Sequence, residues 1–63
     1  MIQDSKLEYC VIAEYSDGYK FCIAKFMHEE DARRYRRSRK KDFVVYRLYK
    51  RFDSADGITW TEL

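Results

Sequence analysis

Proline is absent from this chain, glycine occurs only twice, and histidine and tryptophan once each. So few turn formers speak against a low-complexity or linker-like polypeptide and imply short connections between regular elements. Two cysteines are too few for the disulfide framework of a small secreted domain, and a single histidine leaves no Cys/His cluster at metal-ligand spacing. No apolar run approaches the roughly 20 residues that a membrane-crossing helix requires, and residues 1–6 lack the apolar stretch of a secretory signal. These absences lead to the expectation of a soluble protein in a reducing, cytoplasmic compartment, with no membrane partner. Catalytic signatures are missing too: there is no glycine-rich phosphate loop and no HExxH pair. His28, next to Glu29, suits a helix-terminal position better than a general base with no partner constellation. No catalytic residue, metal site or cofactor is expected.

What is present is a folding composition. Sixty-three residues, 46% hydrophobic and 17% aromatic, suffice for one small core and exclude a large catalytic architecture. The expectation is a single domain over residues 1–63.

The net charge of +2 conceals a partition. Residues 33–51 hold ten basic side chains against one acid, Asp42, a net of +9, whereas Lys6, Lys20 and Lys25 face ten acids elsewhere, a net of −7. If the fold keeps the two parts separate, the surface is dipolar. Single-sign patches of that kind steer encounters with partners of opposite charge.

Period-two alternation over residues 7–15 predicts a first strand, with Leu7, Tyr9, Val11, Ala13 and Tyr15 on one side and Glu8 and Glu14 on the other. Ser16-Asp17-Gly18 suits a three-residue hairpin turn closed by a left-handed glycine. Residues 19–26 then pair back, with Glu14 opposite Lys20, Ala13 opposite Phe21 and Val11 opposite Ile23. In that register Cys10 and Cys22 sit diagonally, about 7 Å apart at Cβ, too far for a disulfide; the simplest reading is two thiols packed as small hydrophobes.

Charge order predicts a helix near residues 28–40. Glu29, Glu30 and Asp31 suit its positive end, and the following arginines and lysines its negative end. Its apolar stripe is thin, Ala32 and Tyr35 extended by His28 and the stem of Arg36 or Arg39. Residues 43–52 read as a third strand with Val44, Tyr46, Leu48, Lys50 and Phe52 on the core side. Residues 58–62 alternate again and predict a fourth, edge strand after a loop over residues 53–57. The fold class is therefore α+β: a small antiparallel sheet, ββαβ with a fourth strand, in spatial order 2-1-3-4, with one helix packed on one face.

Two surfaces are candidates for function. The first is the basic run Arg33, Arg34, Tyr35, Arg36, Arg37, Arg39, Lys40 and Lys41, joined by Arg47, Lys50 and Arg51. Arginine's planar fork contacts carboxylates and phosphates bidentately. The competing reading is a solvated helix face, although three acids can neutralise only part of the run. The second is aromatic. A thin helix carrying Ala32 suits the hairpin face of small residues, which would leave Tyr9, Tyr15, Tyr19 and Phe21 on an open sheet for a second copy of the chain, a protein partner or a stacked base. Periodicity alone does not decide between this and the reverse, in which those aromatics form the core.

The functional expectation is a non-enzymatic interaction module that binds an acidic patch of a protein partner through its basic helix. Its size and style suit the accessory modulators or inhibitors that phages and other mobile elements direct at nucleic-acid-handling machinery. The alternative is direct RNA or DNA binding by the basic helix with exposed aromatics, opposed by the acids elsewhere, which would repel a wrapped phosphate backbone.

Overall fold

In the computed structural model, described over residues 6–63, β1 (Lys6–Tyr15) and β2 (Lys20–Phe26) form a hairpin. The helix α1 (Glu29–Ser38) follows, then β3 (Val44–Ser54) and β4 (Gly57–Glu62). The strands make one antiparallel sheet in the order β2-β1-β3-β4, the α+β arrangement and strand order that the alternation implies. Residues 1–5, most of the residues 1–6 read above for a secretory signal, lie outside the described residues. Among those described, no helix is long and apolar enough to cross a membrane.

The first turn forms as its residues dictate. Gly18 takes a φ of 91°, its N–H donates to the Tyr15 carbonyl at 2.9 Å, and the Tyr15 N–H donates to the Tyr19 carbonyl at 2.8 Å. Asp17 Oδ1 accepts the Tyr19 N–H at 3.0 Å, a side chain standing in for a turn carbonyl. Glu14 faces Lys20 and Ala13 faces Phe21 as expected, but Val11 faces Ala24 rather than Ile23, because a bulge opposite the Val11/Ile12 step leaves Ile23 over. A bulge sets two successive residues against one, and here Ile23 packs into the core. The second turn is tighter than the sequence suggests: β3 and β4 extend to Ser54 and Gly57, and only Ala55-Asp56 connect them.

The core is small. Val11, Ala32 and Leu48 are fully buried at its centre, with Tyr9, Ile23, Phe26, Tyr35 and Tyr46 packed around them. The helix therefore lies over the Tyr9–Val11 side of the hairpin, the reverse of the placement favoured by the small-residue face. The third strand supplies the reason. Val11 is paired with Leu48 and Ala13 with Tyr46, while the other side of the same strands pairs Glu8 with Arg51 and Ile12 with Arg47. Covering the latter side would strip water from charged groups at a cost of several kcal/mol per ion. Covering the former removes only apolar surface at about 25 cal/mol per Å². Ala32, at 0% exposure, lets α1 come close to the sheet.

Candidate binding surface

The basic stretch of sequence divides in three dimensions. On the sheet face away from the helix, Arg47 Nε donates to Glu14 Oε1 at 2.7 Å and its Nη1 to Glu62 Oε2 at 3.0 Å. Arg51 Nη1 donates to Glu8 Oε1 at 2.9 Å and its Nη2 lies 3.6 Å from Asp53 Oδ2. The fold thus interleaves acids with the arginines of β3, and the dipole expected from strict separation is reduced. Hydrogen bonds from Arg47 hold the Glu14 carboxyl below its ordinary range, and the two carboxylates raise the Arg47 guanidinium further above its own. Arg51 also lies over the Trp60 ring, 5.7 Å from its centroid.

Cys10 lies on this same face yet is fully buried, beneath neighbours that include Tyr49, its partner on β3. Burial first, then the adjacent Cys22 and Glu8, push its thiol up to about 11, so it is neutral and unreactive near pH 7. Both cysteines are free thiols.

On the helix, Arg33 pairs with Glu29 at 2.7 Å and Arg34 with Asp31 at 3.5 Å. Two of the three first-turn acids are consumed in that way. Tyr35 packs on Phe26, ring centroids 5.3 Å apart, and Arg39 covers its other face at 4.8 Å. Tyr35 is thus partly a core residue. His28 occupies the position before α1 without a capping side-chain hydrogen bond.

The helix stops at Ser38, two residues before the expected end. Ser38 Oγ donates to the Tyr35 carbonyl at 2.7 Å, Arg39 is already extended at φ −89° and ψ 129°, and no glycine is at hand to provide a left-handed cap. Arg39, Lys40 and Lys41 therefore project from a loop. Lys50 is separate from all of these, paired with Tyr9 on the helix side of the sheet. Among the described residues Arg36, Arg37, Arg39, Lys40 and Lys41 have no carboxylate within 4 Å.

The loop ends in a strained turn. Val44 N–H donates to the Lys41 carbonyl at 3.3 Å, and Phe43 between them has a φ of 66°, the left-handed conformation for which such a turn ordinarily employs glycine or asparagine. A bulky residue there stores on the order of 1–3 kcal/mol. Its side chain is 86% exposed. Phe43, Val44 and Val45 line a concavity of about 450 Å³ together with Tyr15 and Ser16 from the first hairpin. Tyr15 stacks on Phe21 at 5.6 Å and Phe21 contacts Tyr19 at 5.5 Å.

One end of the molecule thus joins the loop cations to Phe43, Val45 and the aromatic cluster of Tyr15, Tyr19 and Phe21. Tyr9 alone of the aromatic candidates is withdrawn into the core region. Val45, absent from the sequence-derived sites, was signalled by alternation, which puts it on the side of β3 opposite Leu48; Phe43, also absent, precedes β3 at a positive φ that alternation does not reveal. Among the described residues no three His, Cys, Asp or Glu side chains group as a metal site. No protein-family model matches the chain, and neither a curated protein nor a solved structure is significantly similar to it.

Proposed function

We propose that this chain is a non-enzymatic interaction module that docks the cations of its helix end and following loop on an acidic surface of a protein partner. The observation that carries the reading is the contrast in pairing among the described residues: Arg33, Arg34, Arg47 and Arg51 are taken by carboxylates, whereas Arg36, Arg37, Arg39, Lys40 and Lys41 are not. These five cations occupy a short stretch of chain that leads directly into exposed Phe43 and Val45. An aromatic and arginine-rich centre is the usual composition of binding hot spots. Glu8, Glu14, Asp53 and Glu62 across the sheet disfavour a polyanion that tracks around the domain. A modulator or inhibitor of a larger, nucleic-acid-handling protein is a use consistent with this design.

Salt titration of the purified chain, with the partner recovered from its native host and with generic single-stranded RNA, tests the proposal. Protein docking predicts a nuclease-resistant, stoichiometric partner whose association rate falls with salt and with Arg36→Glu/Arg37→Glu. Direct nucleic-acid binding predicts instead that log affinity falls linearly with log salt, by about 0.7 per phosphate neutralised on a single strand. That outcome, with a partner lost on nuclease treatment, overturns the reading.

A further inference from the structure

Among the described residues the two most exposed apolar side chains are Phe43, at 86%, and Met27, at 80%. They sit in opposite electrostatic surroundings. Met27 comes just before the acidic first turn of α1, with Glu29, Glu30 and Asp31, whereas Phe43 ends the exposed stretch that holds Arg39, Lys40 and Lys41. Asp42, the one acid in that stretch, has no cation within 4 Å among the described residues. The ring of Phe43 is therefore flanked by positive charge that no carboxylate of the described fold takes up.

The backbone sets Phe43 apart as well. It is the one described residue other than glycine at a positive φ, a position where glycine or asparagine is the unstrained choice. Nothing in the described fold offsets that strain. The ring belongs neither to the core cluster nor to any aromatic pair, so an exposed apolar group is added to a strained turn. Residues of this kind persist where the strained conformation serves a binding contact, and local rules are broken mainly at functional sites.

We infer that Phe43 is the anchor of the docking surface: its ring enters an apolar pocket of the protein partner, and carboxylates on the rim of that pocket meet Arg39, Lys40 and Lys41. The inference rests on the docking function proposed above and names the partner's side of it. The hydrogen bond from the Val44 N–H to the Lys41 carbonyl closes the turn that holds the ring outward, so less has to be ordered on binding. A desolvated aromatic group surrounded by charged residues is the usual build of a hot spot. The cations then govern how fast the complex forms, and the ring governs how slowly it parts. A second copy of this chain would bring its own cations to the same end and be repelled.

The test installs a photoreactive benzophenone side chain at position 43 of the whole chain, and at position 27 as the control, each product shown folded by its dichroism spectrum. Both are irradiated in nuclease-treated extract of the native host. Position 43 is expected to crosslink one protein that position 27 does not, at a peptide that combines apolar residues with Asp or Glu. Phe43→Gly should then bind that protein about thirtyfold more weakly or worse, nearly all of it in faster dissociation, while Phe43→Leu, which keeps an apolar side chain, loses less. Arg36→Glu/Arg37→Glu should slow association instead. A crosslinked protein that binds Phe43→Gly as tightly as the native chain, yet is weakened by the charge reversal, overturns the anchor and leaves acidic docking in place. Indifference to both variants overturns both. Crosslinks no more abundant at 43 than at 27, or formed only within the chain or between its copies, overturn the anchor, and the salt titration then judges docking separately.

Discussion

The arginines of β3 and the cations that follow the helix belong to one basic stretch of sequence, and the fold treats them in opposite ways. Arg47 and Arg51 lie on a sheet face where β1 delivers Glu8 and Glu14, the edge strand Glu62, and β3 itself Asp53, to within hydrogen-bonding or ion-pair range. Arg36, Arg37, Arg39, Lys40 and Lys41 pair with none of the acids of the first turn, where Glu29 is taken by Arg33 and Asp31 by Arg34. A strand brings distant sequence alongside its residues, and that is how Arg47 and Arg51 find carboxylates. A helix end and a loop meet only what is nearby, and their charges stay available. Composition alone therefore does not measure a binding surface; the pairing of each charge does.

The comparison breaks first if the foundation common to both regions is removed. Leu48→Ala, at the centre of the core, should cost about 2–5 kcal/mol. In a chain whose whole core supplies about 3–5 kcal/mol, the variant should be largely unfolded by circular dichroism at room temperature. Next in size is a contrast between the regions themselves. Arg51→Ala leaves the mostly buried Glu8 without its principal partner and should cost about 1–3 kcal/mol in urea unfolding. Arg37→Ala should remain within about 0.5 kcal/mol of the native chain. Equal losses at both positions would erase the distinction between structural and available charge.

Phe43→Gly sharpens the comparison from the other side. Relief of the left-handed strain should stabilise the chain by about 1 kcal/mol, a rise in Tm of about 4–8 °C by calorimetry, while the exposed ring at the binding end is lost. Higher stability with weaker partner binding would identify the strain as retained for the contact. The smallest effect concerns Glu14, whose folded carboxyl titrates below its ordinary value of 4.5 because Arg47 hydrogen-bonds to it. A depressed carboxylate stabilises the fold above its unfolded pKa, and that stabilisation is lost as pH falls through the folded value. Glu14→Gln should therefore be slightly less stable than the native chain near pH 7, and the difference should shrink as pH falls below 4.5, which makes its stability less dependent on pH in acid unfolding.

Much of the fold was legible because the decisive signals are local. The Ser16-Asp17-Gly18 turn, the acid-then-base order of the helix and the alternation of Val44, Tyr46 and Leu48 each specify their own element. The helix placement was not legible from the hairpin, whose Cys10, Ile12 and Cys22 face looks the more accommodating. It becomes legible only when β3 is docked and its Arg47 and Arg51 fall on that face. Of the site, the availability of Arg36 to Lys41 followed from the excess of bases over acids there, Asp42 being the one acid in residues 33–51. Phe43's exposure did not, because a residue at the head of a strand-like run is read as part of the strand, and nothing in its type announces a positive φ.

The extra residue in β2 has a consequence for the whole outer strand. With Ile23 set aside, Lys20 and Lys25 fall on one side of the sheet despite their unlike parity, opposite Glu14 and Cys10 respectively, and Phe26 falls opposite Tyr9 on the helix side. Pair Ile23 with Val11 instead, with no bulge, and the strand keeps strict alternation: Lys25 is set against Tyr9 and turned into the helix layer, and Phe26 is turned out beside Glu8. The bulge acts on the strand as a frameshift acts on a message, changing the meaning of everything after it. Here the shifted frame is the one in which the chain can be read as a protein with an inside.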